Sequence, residues 1–135
     1  METRKLNKEY YLLARDVINN FVELSHIKTS DIKIAFLESD KKKKSRGNLV
    51  FGECEKVVDK NKWAIPYDFT ITIFKPNISH FSEEQIRILL FHELLHIGIS
   101  DKGKLSIVPH DLEDFKLIID KFGTNWSSEK RFNNR

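Results

Sequence analysis

The pattern of apolar and polar residues divides the chain into one long helical segment and several strand-like ones. Across residues 4–25, apolar positions recur every three or four residues, which predicts an amphipathic helix packed on the core. Segments 32–37, 49–58 and 69–74 alternate or are rich in β-branched and aromatic residues, so they predict strands. Gly52 predicts a bulge or bend within the second of these strands.

Two further helices are predicted in the second half of the chain. Ser82 and Gln85 form a capping-box pattern, so a helix should begin at Ser82 and end near Gly98. A late helix should follow Pro109, with an apolar stripe from Leu112 to Phe122.

These elements predict an α+β fold. We expect a small, mainly antiparallel sheet of about three strands, packed against the N-terminal helix, the helix from Ser82 and the late helix. A chain of 135 residues is large enough for one core, and we expect one domain over residues 1–126 with a polar tail at 127–135.

The helix predicted from Ser82 carries the motif H-E-x-x-H at His92, Glu93 and His96. Histidines four residues apart lie on one helix face and can hold one zinc ion. Glu93 beside them could take a proton from a metal-bound water. The alternative is a buried helix with two histidines in this spacing by coincidence. Burying two imidazoles and a carboxylate without a partner would be costly, which favours the metal site.

A catalytic zinc ion takes three protein ligands and keeps one open position. His110 is our candidate for the third ligand, because it opens the late helix, which can pack antiparallel to the motif helix. Acidic competitors for this role remain open at Glu113, Asp111 and Asp101. Asp111 could instead orient a ligand histidine.

The net charge and the composition exclude few classes of binding partner. The net charge of +3 is mild, but five cations lie between residues 41 and 46: Lys41, Lys42, Lys43, Lys44 and Arg46. Such a run is typical of a solvated hairpin loop. Contact with nucleic-acid phosphates is the weaker interpretation, since no aromatic residues alternate with the lysines.

The remaining bulk features favour a cytoplasmic protein. The single cysteine, Cys54, excludes an internal disulfide and is interpreted as a small buried apolar residue. The N-terminal residues carry no apolar signal-peptide region, and no segment is long and apolar enough to cross a membrane. The sequence does not determine the oligomeric state.

From about residue 30 to 126 the chain resembles the putative phage metallopeptidase family. The resemblance lies in a glycine-containing strand, a Tyr-Asp-Phe entry into the next strand, the H-E-L-x-H helix, and a late His-Asp before a Phe-containing helix. In this chain these features are Gly52, Tyr67-Asp68-Phe69, His92 to His96, and His110-Asp111 before Phe115. The order of motifs is also similar, more loosely, to SprT-like metallopeptidases.

The resemblance implies a small zincin-like domain with one zinc ion. It matches His92, His96 and His110 to the family's metal ligands and Glu93 to its catalytic glutamate. The predicted function is zinc-dependent hydrolysis of peptide bonds in a peptide or protein substrate, with Glu93 as general base. The alternative is a zinc-stabilised binding module without catalysis, associated with nucleic acid. We also expect the strand at 69–74, or a neighbour, to pair with the substrate as a sheet edge.

Overall fold

A computed structural model of the protein describes residues 1–109. In chain order its strands and α-helices are β1 (Arg4–Leu6), α1 (Lys8–Asn20), α2 (Ser25–Lys28), β2 (Ile34–Ser39), β3 (Lys44–Ser45), β4 (Asn48–Leu49), β5 (Gly52–Lys56), β6 (Phe69–Phe74), α3 (Glu83–Leu94), β7 (Ile97–Ile99) and β8 (Leu105–Ile107). Short 3-10 turns lie at Val22–Leu24, Asp59–Asn61 and Lys75–Ile78.

Four of the strands form one mixed sheet in the order β1-β2-β6-β5. β1 and β2 are antiparallel, β2 and β6 are parallel, and β6 and β5 are antiparallel. The hairpins β3–β4 and β7–β8 are separate two-stranded pairs. The predicted α+β class and mainly antiparallel sheet are confirmed, although the sheet has four strands instead of about three.

The N-terminal segment is the main difference from the predicted elements. Residues 4–6 pair with β2 as a strand, and α1 begins only at Lys8, where the Asn7 side chain accepts a hydrogen bond of 2.9 Å from the Tyr10 backbone N–H. The single helix predicted over 4–25 was therefore wrong at its start. Arg4 explains this, because its guanidinium reaches across the sheet to Glu53 and Thr72, which helical geometry would not allow.

The core lies between one face of the sheet and the helices α1 and α3. Apolar side chains of β6 alternate toward it, as the period-2 pattern requires. Phe21 and Phe91 join the α1 end of the core to α3, with ring centroids 4.7 Å apart. The side chains with no exposed surface include Ala14, Leu24, Phe69, Ile71, Ile73, Leu90, Phe91 and Leu94.

The start of α3 matches the capping-box prediction. Ser82 Oγ accepts a hydrogen bond of 3.2 Å from the Gln85 backbone N–H, and Gln85 Oε1 accepts one of 2.8 Å from the Ser82 backbone N–H. The ring of Phe81 lies 5.0 Å from that of Phe51, centroid to centroid, just before β5. This contact anchors the start of α3 beside the strand that carries Gly52.

The end of α3 falls earlier than predicted. The helix ends at Leu94, and His96 lies in the turn that follows, where its N–H donates to the carbonyl of Glu93 over 3.1 Å. Ile97 then pairs with Ile107 in the β7–β8 hairpin. The helix does not extend to Gly98, because the backbone from Ile97 onward forms the β7 strand of this hairpin.

The predicted late helix and the polar tail lie outside the described residues. Within residues 1–109, no helix has the length and apolar character that crossing a bilayer requires.

We predict that Ser82→Ala lowers the free energy of unfolding by about 1 kcal/mol, since a side-chain N-cap contributes about that much. Thermal and urea unfolding followed by circular dichroism measure the change. Ser79→Ala is the matched control, because Ser79 is exposed and lies three residues earlier. Equal stability of the two variants would show that the capping box does not stabilise α3.

Candidate metal and catalytic site

The two motif histidines lie side by side at the C-terminal end of α3. Their ring centroids are 5.4 Å apart and their planes are inclined by 37°. His92 is half-buried in the last turn of the helix, and His96 is 8% exposed in the turn that follows. The four-residue spacing therefore brings the rings together, although His96 is no longer within the helix.

His96 is oriented by the chain that returns from the β7–β8 hairpin. Its Nδ1 lies 2.6 Å from the carbonyl oxygen of Val108, and the Val108 N–H donates to the carbonyl of His96 over 2.6 Å. A carbonyl can only accept, so Nδ1 carries the proton and Nε2 carries the lone pair. This arrangement is typical of metal-binding histidines, whose second ring nitrogen donates to a carbonyl or carboxylate.

Glu93 is held in a confined space between α3 and β5. Only 5% of the residue is exposed, and no other side chain among residues 1–109 donates a hydrogen bond or ion pair to its carboxyl group. A Cβ atom added to Gly52 would lie 3.5 Å from Glu93 Cγ, 3.2 Å from the Thr72 carbonyl oxygen and 3.1 Å from Ile73 Cδ1. The tight contacts are therefore with β6, while Gly52 and the Glu93 side chain approach each other to ordinary van der Waals distance.

Burial changes the acid–base properties of this pocket. Desolvation, with a smaller contribution from the Glu53 carboxylate, raises the pKa of Glu93 from 4.5 to about 8 in the metal-free protein. Desolvation, and then the charges of Glu93 and Glu55, raise the pKa of the Cys54 thiol to about 12. Cys54 is thus a protonated, weakly reactive thiol, which agrees with its interpretation as a packing residue.

His110, the candidate third ligand, lies outside the described residues. The acidic alternatives Asp111 and Glu113 lie outside them too. Asp101 is exposed in the turn between β7 and β8, and among residues 1–109 no group of three histidine, cysteine or acidic side chains could hold a metal. His92 and His96 are therefore brought together, while His110 as a ligand stays a prediction.

Two further polar side chains, those of Arg87 and Tyr67, have identifiable surroundings. Arg87 pairs with Asp16 of α1 and with Glu83, so it ties α3 to α1. Tyr67 lines a surface pocket with Leu6 and Ala35 at the opposite side of the sheet from β5.

The remaining histidines differ in their surroundings. His80 is exposed, and its ring meets Phe81 edge-on. His26 is half-buried, and its Nε2 lies 2.9 Å from the carbonyl oxygen of Ile97. It thereby links α2 to the first residue of β7, directly after His96.

Sequence reasoning missed two contributors to the site. The role of Val108 depends on a backbone carbonyl, so no side-chain pattern could have indicated it. From the sequence, Gly52 predicted a bulge or bend and matched the family's glycine-containing strand, but neither observation placed it beside Glu93. An isolated glycine in a strand can also signal a close approach by another group, and this one lies against Glu93.

Two adjacent histidines and a buried glutamate thus lie at the C-terminal end of α3, and β5 approaches that glutamate at Gly52. The sequence profile described as "Putative phage metallopeptidase" matches residues 4–132, which is nearly the whole chain. The chain belongs to this family. The match is wider than the 30–126 range over which the motifs were assigned, and it includes β1 and α1. No curated protein and no solved structure matches the chain.

We predict that Gly52→Val disrupts the site more strongly than Gly52→Ala. The alanine Cβ meets the side-chain end of Ile73 and a backbone oxygen at just over 3 Å, so it should cost about 1 kcal/mol of stability. The extra valine methyl groups would contact Glu93, and we expect metal-dependent activity to fall more than tenfold beyond the loss in Gly52→Ala. Urea unfolding and activity assays on both variants measure this, and equal activities would remove Gly52 from the site.

Proposed function

We propose that this protein is a zinc-dependent metallopeptidase in which His92, His96 and His110 hold one zinc ion and Glu93 is the general base. The main support is the buried carboxyl group of Glu93, which directly follows His92 in the chain and forms no ion pair among residues 1–109, together with the adjacent imidazoles of His92 and His96. Burying a carboxylate is costly unless a cation or a hydrogen-bond donor compensates its charge, and a metal ion would do so.

The described residues fit a divalent metal ion. Because Nδ1 of His96 donates to the Val108 carbonyl, a metal ion at this histidine would be held by Nε2. His92 lies beside it with its ring 5.4 Å away, centroid to centroid. Bound there, zinc would supply Lewis acidity, polarising the scissile carbonyl and lowering the pKa of the attacking water.

Glu93 would move the proton in this reaction. As a carboxylate it accepts a proton from the attacking water, and it then donates that proton to the departing amide nitrogen. Its apolar surroundings raise its pKa to about 8 in the absence of metal, which brings the group close to a proton-transfer role near neutral pH. A bound cation would favour the carboxylate and lower that pKa.

The substrate would bind as an extended strand along β5. The strand at 69–74 became β6, which lies between β2 and β5, so its neighbour β5 supplies the edge. β8 approaches β5 to within 8 Å between Cα atoms, but no ladder hydrogen bonds join the two strands in the described part of the chain. A peptide added to β5 would pass Gly52 and therefore Glu93.

The decisive variant is Glu93→Gln. We expect it to keep full zinc content and to lose at least about 100-fold in the hydrolysis of unfolded protein substrates, because the amide cannot accept the proton. Zinc is measured by mass spectrometry on protein purified without a histidine tag. Glu84→Gln, on an exposed position of the same helix, is the control and should leave both quantities unchanged. Undiminished turnover in Glu93→Gln would exclude the proposed mechanism.

A second variant tests the third ligand. We expect His110→Ala to weaken zinc binding by more than about 100-fold, since a catalytic site depends on three protein ligands. Competition with a chromogenic chelator measures the affinity. His80→Ala is the control, because His80 is exposed outside the motif. Full zinc occupancy in His110→Ala would transfer the role to Glu113, Asp111 or Asp101.

A further inference from the structure

We propose that the hairpin β3–β4 selects substrates with acidic side chains on the C-terminal side of the scissile bond. The hairpin carries Lys42, Lys44 and Arg46, all exposed, and none of these three forms an ion pair within the described residues. This inference rests on the proposed peptidase function and adds the class of substrate to it.

The hairpin lies next to the proposed catalytic group. β4 ends at Leu49, three residues before Gly52, so at most about 10 Å of extended chain separate them. Gly52 is the residue of β5 that faces Glu93. The turn at Arg46 is at most about 20 Å of chain from the same point.

Lys43, at the base of the hairpin, already has a partner within the protein. The Lys43 ammonium lies 2.5 Å from a Glu53 carboxylate oxygen and 5.4 Å from the centroid of the Phe74 ring. The charge of Lys43 is therefore neutralised locally, whereas its neighbours Lys42 and Lys44 are exposed.

The base of the hairpin is fixed to the segment that precedes α3. The Asn77 side-chain N–H groups donate to the carbonyls of Lys43 and Val50, over 2.9 and 2.7 Å. Val50 also donates its N–H to the Lys43 carbonyl over 3.1 Å. Asn77 is 2% exposed, so this connection is protected from water. The exposed cations are thus held at a defined position relative to β5.

Arg46 places its charge at the turn of the hairpin. It is the only residue other than glycine with a positive φ, 51°, among residues 1–109, and Gly47 follows with a φ of 81°. Two-residue turns of this kind require positive φ at both central positions and favour Asn or Gly at the first. Arg46 is exposed there, at the end of the hairpin that lies farthest along the chain from its Asn77-bound base.

The position of these charges favours a peptide partner over nucleic acid. A peptide antiparallel to β5 would run from the level of Lys56 toward Gly52, so the residues after the scissile bond would reach the hairpin. The neighbouring anion Glu53 is already paired with Lys43 and with Arg4. Among residues 1–109, Lys44 and Arg46 form no ion pair, so their charges can attract substrate carboxylates.

The test uses quenched fluorescent peptides whose central residues, where cleavage is expected, are randomised. One set carries Glu and the other carries Gln at the second to fourth positions on the C-terminal side of that central segment. We expect the zinc-loaded protein to prefer the Glu peptides by about tenfold in kcat/KM, and to lose most of this preference in 0.5 M salt. Binding of the same peptides to zinc-loaded Glu93→Gln protein, followed by fluorescence anisotropy, should show the same preference. Glu placed before the centre should have no such effect.

The variant K42Q/K44Q/R46N removes three hairpin charges and places in the turn a residue that suits its geometry. We expect the preference for Glu to fall to within twofold, while kcat/KM for the Gln peptides stays unchanged. The control K8Q/R15Q/K28Q removes three exposed positive charges from α1 and α2. Both triple variants therefore lower the net charge from +3 to about zero, and they differ only in where the charges are lost. It should retain the preference.

The two proposals can fail separately. Cleavage without a preference for Glu, or a preference that survives in the hairpin variant, would overturn the inference and leave the peptidase function standing. Hairpin-dependent binding of Glu peptides without cleavage would overturn the peptidase function alone. Binding of duplex DNA that is tighter than that of the Glu peptides and is lost in the hairpin variant would overturn the inference in favour of nucleic acid.

Discussion

The burial of one carboxyl group between α3 and β5 is the constraint on which the rest of the site depends. Glu93 is almost fully enclosed, and the rise in its pKa to about 8 shows how strongly the metal-free surroundings disfavour its charge. The metal-free protein therefore disfavours the carboxylate form, and a cation bound beside it would favour that form.

A second constraint sets the length of α3. His92 and His96 need to be one helical turn apart, but Nδ1 of His96 also has to reach the Val108 carbonyl. Ending the helix at Leu94 satisfies both requirements. The turn keeps His96 close to its helical position, and the β7–β8 hairpin then brings Val108 back beside it. The His26 contact with the Ile97 carbonyl fixes the same corner from α2.

The elements that the sequence predicted well are those whose signals are local. The strand at 69–74 alternates strictly and was found with those bounds, and the Ser82–Gln85 pair marks the start of α3. The elements that were missed depend on distant partners. Residues 4–6 continue a helical pattern but gain a sheet neighbour and the contacts of Arg4, and β7 and β8 are only three residues each. Short strands of this kind are stabilised by pairing, which a single sequence does not display.

The same distinction applies to the site. The motif predicted which side chains meet, since the spacing of His92 and His96 is a property of the backbone. It could not predict the approach of Gly52 to Glu93, or the hydrogen bond from His96 to Val108, because both are contacts between residues distant in the sequence. The charges of the hairpin are visible in the sequence, but their position beside the site depends on β5 being an edge.

Asn77 shows how these parts are joined into one unit. Its amide holds both strands of the hairpin base, while its backbone belongs to the turn between β6 and the start of α3. The residues Asn77-Ile78-Ser79 match a glycosylation sequon, yet an amide that is 2% exposed and donates two hydrogen bonds cannot accept a glycan without breaking them. Because the hairpin, the edge strand and the motif helix share this buried residue, a displacement of the hairpin would also disturb the segment that positions α3. The charged hairpin and the candidate catalytic helix are therefore held in a fixed relative position by Asn77. The proposed selection of substrates by charge depends on such a fixed position.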